Sequence, residues 1–210
     1  MTALTELRRL PERGSHDAEL IHSILDAALV AHVGFLRQGH PAVVPTLVVR
    51  IGDQAFIHGS PASALIRAAK TGADLCLTAT LIDGLVLARS AFHHSANYRS
   101  VVAYGQGRWV EGDEKLTVMD ALVDKVSPGR RPHLRPMTGK EITGTGVVAL
   151  PLDTASAKVR TGGPKDDEAD YGRGIWAGVV PVLTTLGEAI PDPLNEVDLA
   201  TPDHILGMAW

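Results

Sequence analysis

The sequence contains only one cysteine, Cys76, among its 210 residues. A single thiol cannot form an intramolecular disulfide, and it cannot provide a thiolate cluster for zinc or an iron–sulfur centre. Aromatic residues are also scarce, at 4% of the chain, so the core has to be built mainly from Val, Leu, Ile and Ala. We therefore expect a reducing, cytoplasmic setting and an aliphatic core in which Cys76 is inert.

An excess of positive charge is missing as well. Lysine and arginine number 20 against 24 aspartates and glutamates, which gives a formal net charge of −4. Phosphate backbones are bound by clustered Lys and Arg, so nucleic acid is not an expected partner. No apolar run reaches the roughly 20 residues of a membrane helix, and residues 1–12 lack the apolar segment of a signal peptide. We expect no membrane partner.

Apolar residues at three- and four-residue spacing predict a few helices. The first begins at Asp17, where Ser15 or Asp17 can cap its first turn. A short helix is predicted over residues 62–70 and a longer one over 114–126. The polar residues 1–16 are expected to form an N-terminal arm.

The remaining pattern is one of short strands separated by turn residues. Asp83-Gly84 is interpreted as a hairpin turn, and Pro45 predicts an edge or a bulge in its strand. Six or more antiparallel strands with short helices predict a mainly β fold, a barrel over residues 17–186 followed by a Pro-rich tail over 187–210. The predicted strands cover residues 30–36, 42–51, 55–58, 74–82, 85–92, 98–110, 147–152, 157–160 and 175–182.

Three short sequence patterns resemble functional motifs, but their context favours a structural interpretation. Gly144-x-Gly146-x-x-Ala149 matches a dinucleotide fingerprint but precedes a strand instead of opening a helix. His93 and His94 are neighbours that point to opposite faces of a strand, so no metal site is predicted. Residues 127–140 are interpreted as a connector whose basic side chains are solvated, with a substrate lid as the alternative: Arg130, Arg131, His133 and Arg135.

Five segments in order give the chain a family resemblance: Pro45-Thr46-Leu47, His58 to Ser63, Ser90 to Val102, Lys158 to Gly162 and Trp176 to Pro181. The sequence resembles the FMN-binding split-barrel flavoproteins related to pyridoxamine 5′-phosphate oxidase, in the branch of nitroimidazole-resistance-like proteins. The resemblance implies a six-stranded antiparallel split β-barrel. It also implies a homodimer with FMN bound between the subunits.

The resemblance also implies which residues bind the cofactor. Arg99, Ser100, Ser60 and Ser63 suit a phosphate, because arginine and hydroxyl donors bind phosphate oxygens. Backbone groups of residues 44–47 suit the polar rim of the flavin, and Trp176 suits its ring. The implied set is Pro45, Thr46, Leu47, His58, Gly59, Ser60, Ser63, Asn97, Tyr98, Arg99, Ser100 and Trp176.

Each of these roles has a structural alternative. Arg99 can pair with a surface carboxylate, and the two serines can serve as a turn residue and a helix cap. Trp176 can anchor the core or a dimer interface. His32 and His58 can serve structural roles, since a strand histidine often satisfies a neighbouring polar group.

The function that the resemblance implies is an FMN-dependent oxidoreductase. Its expected substrate is a small nitro compound or quinone, with a nicotinamide as electron donor; no catalytic side chain is identified, because a flavin supplies the redox chemistry itself. One alternative is a non-catalytic carrier of flavin or haem, with an axial ligand from His32, His58, His93 or His94. Another is a reductase that uses the deazaflavin F420. The acidic tail lacks the basic Arg-x-His segment of the true vitamin B6 oxidases, so that substrate is not expected.

Overall fold

The computed structural model describes residues 4–195 and 199–208. The helices in these ranges are α1 (Ala18–Ala27), α2 (Ala64–Lys70), α3 (Gly112–Val126), α4 (Gly139–Gly144) and α5 (Asp203–Leu206). The strands are β1 (Gly14–Ser15), β2 (Val30–Arg37), β3 (His40–Ile51), β4 (Gln54–Gly59), β5 (Asp74–Leu87), β6 (Ser95–Gln106), β7 (Arg108–Val110), β8 (Gly146–Pro151), β9 (Ala155–Arg160) and β10 (Gly178–Pro181). No helix in the described ranges is long and apolar enough to span a membrane.

Local sequence accounts for where the first two helices begin and end. The side chain of Asp17 accepts a hydrogen bond from the amide of Glu19 at 3.2 Å and caps α1. Ser63 caps α2 in the same way, through the amide of Ile66 at 3.3 Å. Gly72 follows α2 with a φ of 75°, a conformation that glycine adopts at little cost. The chain can therefore turn directly from α2 into β5.

The strands form one antiparallel sheet in the order β1-β9-β6-β5-β2-β3-β4-β8-β7, with β10 added beside β5. The sheet curls so that Gly105 of β6 approaches Leu150 of β8. Its inner face, together with α1 and α2, encloses the main core. Val33, Leu77 and Val148 point into this core and are at most 1% exposed. The core is largely aliphatic, as the composition predicts.

β3 changes partner along its length, and this change splits the barrel. Among the described strands, residues 40–47 pair with β2 alone, whereas residues 48–51 pair with β4. Pro45 lies in the half that has one free edge. Because proline has no amide hydrogen to donate, it is tolerated there. The edge predicted at Pro45 is confirmed.

The outer face of the sheet is covered over only part of its area. α3 packs on the outer side of β3, β4 and β8, where Phe56, Val118 and Val147 belong to a second apolar cluster. The outer side of β2 and of the free half of β3 is left open. Val30 is 41% exposed there and Val43 is 64% exposed. This open area is called the uncovered face below and comprises the outward residues of β2, of β3 from 43 to 47, and of the facing part of β5 and β6.

The mainly β, split-barrel class is confirmed, with more strands than the six expected. Short pairings at the margins, in β1, β7 and β10, account for part of the difference. The hairpin predicted at Asp83-Gly84 is wrong. β5 runs through it as one strand with a bulge between Ile82 and Gly84, because β6 pairs with both sides of the bulge. An extra residue of this kind bends a strand without ending it.

Two further expectations about local structure are corrected. Phe92 does not end a strand but lies in a short 3₁₀ turn, where it is 90% exposed. The last residues of the predicted connector are helical, because α4 begins at Gly139. The Thr138 hydroxyl accepts from the amide of Glu141, whose carboxylate accepts from the Thr138 amide. This reciprocal pair is a capping box, which stabilises even a short helix.

Candidate functional site

His58 lies at the end of β4 on the outer face of the sheet. Ala55 and Ile57 point into the main core, so the alternation of side chains places Phe56 and His58 on the opposite side. His58 faces Val147 on the neighbouring strand β8. His58 therefore lies beside the second apolar cluster, at the edge of the area that α3 covers.

An apolar cavity of about 430 Å³ adjoins His58 at the edge of α3. Its volume falls in the range of about 300–1,000 Å³ that is usual for small-molecule and cofactor sites. Polar groups are few: besides His58, the wall contains Ser127, Arg130 and Thr145. The apolar wall consists of Leu47, Met119, Leu122, Val123, Val126 and Met137.

Burial favours the neutral form of the His58 imidazole. Burial lowers the pKa of His58, because the charged form loses its hydration. Its Nδ1 atom is buried and has no hydrogen-bond partner among the described residues. An unsatisfied buried polar atom costs about 1–3 kcal/mol. A neutral imidazole with an unused nitrogen can bind a metal or hydrogen-bond to a ligand.

Arg130 provides the one formal charge in the described wall of this cavity. Its Nη1 atom donates to Nε2 of His204 at 3.2 Å. The other two arginines of the connector point elsewhere. Arg131 pairs with carboxylates of α3, and Arg135 pairs with Glu141 at 2.6 Å.

The C-terminal helix α5 docks against this connector. The imidazole of His204 stacks on that of His133, with ring centroids 4.1 Å apart and an interplanar angle of 7°. The Ser127 hydroxyl lies 3.6 Å from the sulfur of Met208. Residues from the two ends of the segment 127–208 thus meet beside the cavity.

Of the cofactor-binding residues that the family resemblance implies, Pro45, Thr46 and Leu47 lie close to His58. Thr46 Oγ1 is 3.4 Å from the carbonyl oxygen of His58, and Leu47 forms part of the cavity wall. Pro45 precedes them on the free edge of β3. The backbone N–H and C=O groups that point out from this edge have no partner strand within the described residues. They are available to hydrogen-bond to a ligand.

Gly59, Ser60 and Ser63 continue from β4 into α2. The Ser60 Oγ accepts from the amide of Ala62 at 3.3 Å, and Ser63 caps α2. Both hydroxyl oxygens therefore already accept local hydrogen bonds. Each still has its hydroxyl hydrogen to donate. Their role in phosphate binding remains a prediction.

The second half of the predicted set lies elsewhere on the sheet. Asn97, Tyr98, Arg99 and Ser100 are on β6, which β5 and β2 separate from β3. Asn97 is buried, donates to the carbonyl of Gly162 and accepts from the guanidinium of Arg160.

Arg99 and Ser100 do not point to the same side of β6. Arg99 lies opposite Leu81, on the inner side, and pairs with both carboxylate oxygens of Asp83 at 2.8–3.2 Å. Ser100 lies on the outer side and donates to the carbonyl of Lys158 at 3.3 Å. A half-exposed ion pair contributes only about 0–1 kcal/mol to stability, so Arg99 can exchange Asp83 for a phosphate group at little cost. Its side chain nevertheless points to the opposite face of the sheet from the side chain of Ser100.

Trp176 lies apart from both groups and is 67% exposed, with its ring against Gly178. Lys70, the last residue of α2, places its Nζ over the ring of Trp109 at 4.5 Å from the centroid. One chain therefore holds the sequence-predicted residues in separate places, with His58 and the edge of β3 as the best-formed group.

A family model described as pyridoxamine 5′-phosphate oxidase matches residues 17–159, more than half of the chain. The chain belongs to this family. No curated protein gives a significant match.

Two solved structures that are similar to this chain match it over nearly its whole length. The flavocytochrome Anf3 from Azotobacter vinelandii is 41% identical, with a TM-score of 0.91 over 98% of this chain and 96% of that one. The FAD and haem binding protein from Mycobacterium smegmatis is 37% identical, with a TM-score of 0.89 over 94% and 97%. A putative 5-nitroimidazole antibiotic resistance protein from Bacteroides thetaiotaomicron shares the fold, at 22% identity and a TM-score of 0.58 over 70% and 86%.

Sequence reasoning did not find the walls of the cavity around His58. Apolar spacing predicts the helix over residues 114–126 but gives its Met119, Val123 and Val126 no part in a site. The sequence does not separate Arg130 from its basic neighbours, which are expected to be solvated. One signal was available: the apolar face of α3 continues to Val126, beyond the buried residues Val118, Met119 and Leu122.

We expect α5 to dock more weakly at acidic pH. Desolvation lowers the pKa of His204, the nearby His133 and Arg130 lower it further, and Asp203 opposes them. In the released segment the imidazole has its ordinary pKa of about 6.5. The released form therefore binds more protons as the pH falls below that value, and docking is lost as the pH falls further through the lowered pKa of His204. Hydrogen exchange of residues 203–208 measures this opening.

The control is His204→Gln, whose amide oxygen can still accept from Arg130 but does not titrate. After correction for intrinsic exchange rates, acidification should increase exchange in the wild-type helix and leave the variant unchanged. The same increase in both proteins would show that His204 is not the titrating group.

Proposed function

We propose that this protein is a flavin- and haem-binding redox protein that acts as a homodimer. The observation that carries the proposal is the imidazole of His58, with its buried and unsatisfied Nδ1, in the wall of an apolar cavity of about 430 Å³. The two relatives at 41% and 37% identity, a flavocytochrome and an FAD and haem binding protein, support the same pair of cofactors.

The residues around His58 fit a haem better than a bare metal ion. Within the described residues, no group of three or more His, Cys, Asp or Glu side chains could hold a metal ion. A metal at His58 must therefore bring most of its own ligands, as the iron of a porphyrin does. Histidine is a common axial ligand of haem iron, and a haem pocket is mostly apolar. Leu47, Met119 and Met137 provide such a surface.

The flavin is assigned to the free edge of β3 and the uncovered face beside it. Backbone groups of residues 40–47 can hydrogen-bond to the polar rim of a flavin ring, and Ser60 and Ser63 can donate to its phosphate. FMN is the flavin that the family resemblance implies. The 37% identical relative favours FAD instead. The mass of the flavin released by heat distinguishes the two.

A homodimer explains why the predicted residues lie in two places. In one chain, His58 and the edge of β3 are separated from Asn97 to Ser100 by two strands. A second copy packed on the uncovered face would bury its apolar side chains. It would also bring Ser100, on the outer side of β6 in one subunit, towards the β3 group of the other.

With both cofactors bound, the flavin would exchange electrons with an organic substrate or donor and the haem would transfer single electrons. The chain's part is to bind, orient and shield these groups. His58 supplies a nitrogen ligand, and the apolar wall excludes water from it. A nitro compound or quinone as substrate, with a nicotinamide donor, stays a prediction.

The His58→Ala variant should lose the haem and keep the flavin. Removing the imidazole takes away the proposed nitrogen ligand of the iron, whereas the edge of β3 is untouched. An absorption spectrum of the purified variant should lack the Soret band that haem gives and should retain the flavin bands. The matched control is His94→Ala, because His94 is exposed and makes only a local hydrogen bond to Ser90. An undiminished Soret band in His58→Ala would remove His58 from the haem site.

The Val43→Asp variant tests the dimer. Val43 is 64% exposed on the uncovered face, and a carboxylate buried in an apolar interface is strongly unfavourable. We expect the variant to be monomeric in light scattering and to have several-fold lower flavin occupancy, because each site loses its contacts with the partner. Leu134→Asp makes the same change at an exposed connector position and should do neither. A monomeric Val43→Asp protein with full flavin occupancy would contradict the shared site.

A further inference from the structure

We propose that Arg130 binds a carboxylate of the group held at His58, and that His204 positions the Arg130 side chain for this contact. The proposal rests on the haem site proposed above and assigns the recognition of the haem propionates. Its basis is the placement and the hydrogen bonding of Arg130.

Arg130 differs from the residues around it in burial. Residues 128–129 and 131–136 are exposed, whereas Arg130 is half-buried and turned into the cavity wall. The rest of the described wall is apolar apart from His58, Ser127 and Thr145. A charge in such a wall is costly unless a partner compensates it. Arginine cannot lose its proton to avoid that cost.

The described part of the chain provides no carboxylate for Arg130. Its neighbours Arg131 and Arg135 each pair with acidic side chains. The Arg130 side chain instead makes a single hydrogen bond within the described residues, from Nη1 to the imidazole of His204. Its Nε and Nη2 atoms make none within the described residues. These two atoms form one edge of the guanidinium, and a carboxylate can accept from such an edge with both oxygens.

The ligand that fits this wall has a distinct chemistry. It has a flat apolar body, a centre that takes an imidazole nitrogen, and an anionic group at its rim. Haem combines these features, because its two propionate carboxylates extend from one edge of an apolar macrocycle. The single charge of the cavity therefore matches the charged edge of the ligand.

His204 fixes the direction of this guanidinium. Its Nε2 accepts from Nη1, and its ring is held by stacking on His133. The imidazole thus occupies one nitrogen of Arg130 and leaves the opposite edge available. His204 is a positioning residue, since it acts on the ligand through Arg130.

The test compares two probes, haemin and haemin dimethyl ester, which differ in the charge of the propionates. The full-length, flavin-containing protein is purified from haem-limited cells and titrated with each probe, and the dissociation constants are read from the Soret absorbance. Wild type should bind haemin about tenfold to a hundredfold more tightly than the ester, the range of one charge-assisted hydrogen bond. Arg130→Gln should remove most of this preference by weakening haemin alone. Arg130→Lys keeps the positive charge but lacks the two parallel N–H donors of the guanidinium. Its preference for haemin should lie between those of wild type and Arg130→Gln.

Arg135→Gln is the matched control. It removes an arginine from the same connector, at a site outside the described cavity wall, and should keep the wild-type preference. His204→Ala should reduce the preference, whereas His204→Gln, which can still accept from Arg130, should restore it.

The outcomes separate this inference from the proposed function. If wild type binds neither probe, the haem site and the role of Arg130 are both overturned. If wild type binds both probes equally, or if Arg130→Gln weakens both to the same extent, haem binding stands and the carboxylate role of Arg130 is wrong. Loss of the preference in Arg130→Gln, with Arg135→Gln unchanged, supports the proposal.

Discussion

The change of partner along β3 is the constraint on which the rest of the structure depends. Residues 40–47 of this strand pair with β2, whereas residues 48–51 pair with β4. The inner face is filled by α1, α2 and small aliphatic side chains. On the outer face, α3 covers the half beyond the split, with Met137 and Ile142 packed beside it. The protein is left with a free strand edge and an open sheet face next to each other.

The candidate site lies at this boundary. His58 is on the outer face at the end of β4, beside the covered cluster, and Leu47 belongs both to the wall of its cavity and to the free half of β3. A ligand in the cavity is therefore next to a ligand on the edge of β3. This proximity is what a protein needs in order to pass electrons between two bound cofactors. The connector contributes Ser127, Arg130 and Met137 to the cavity wall, and α5 supplies the imidazole of His204 that hydrogen-bonds to Arg130.

Local features of the fold could be predicted from the sequence. The cap at Asp17, the strand edge at Pro45 and the apolar face of α3 follow from rules that act within a few residues. Asp83-Gly84 could not be predicted in this way. The same two residues form a hairpin turn or a bulge depending on whether β6 pairs with both sides, and that pairing is a property of the sheet.

The site was predictable only in part, for a related reason. Residues 45–47 and 58–63 were singled out and do lie together, because β3 and β4 are a hairpin. Arg99 and Ser100 are adjacent in the sequence, yet the alternation of a strand points them to opposite faces. Arg130 was indistinguishable from Arg131 and Arg135 in the sequence. Only the packing of the connector and α5 beside α3 separates one half-buried guanidinium from two surface ion pairs.

The central claim is that one chain binds a haem through His58 beside a flavin. The most direct test is the ratio of haem and flavin to protein in the purified wild-type protein, from its absorption spectrum, the pyridine adduct of extracted haem and the mass of the released flavin. We expect both a Soret band and flavin bands, with each cofactor approaching one per chain after haemin and flavin are supplied. A protein that takes up flavin but shows no Soret band, even after addition of haemin, would contradict it.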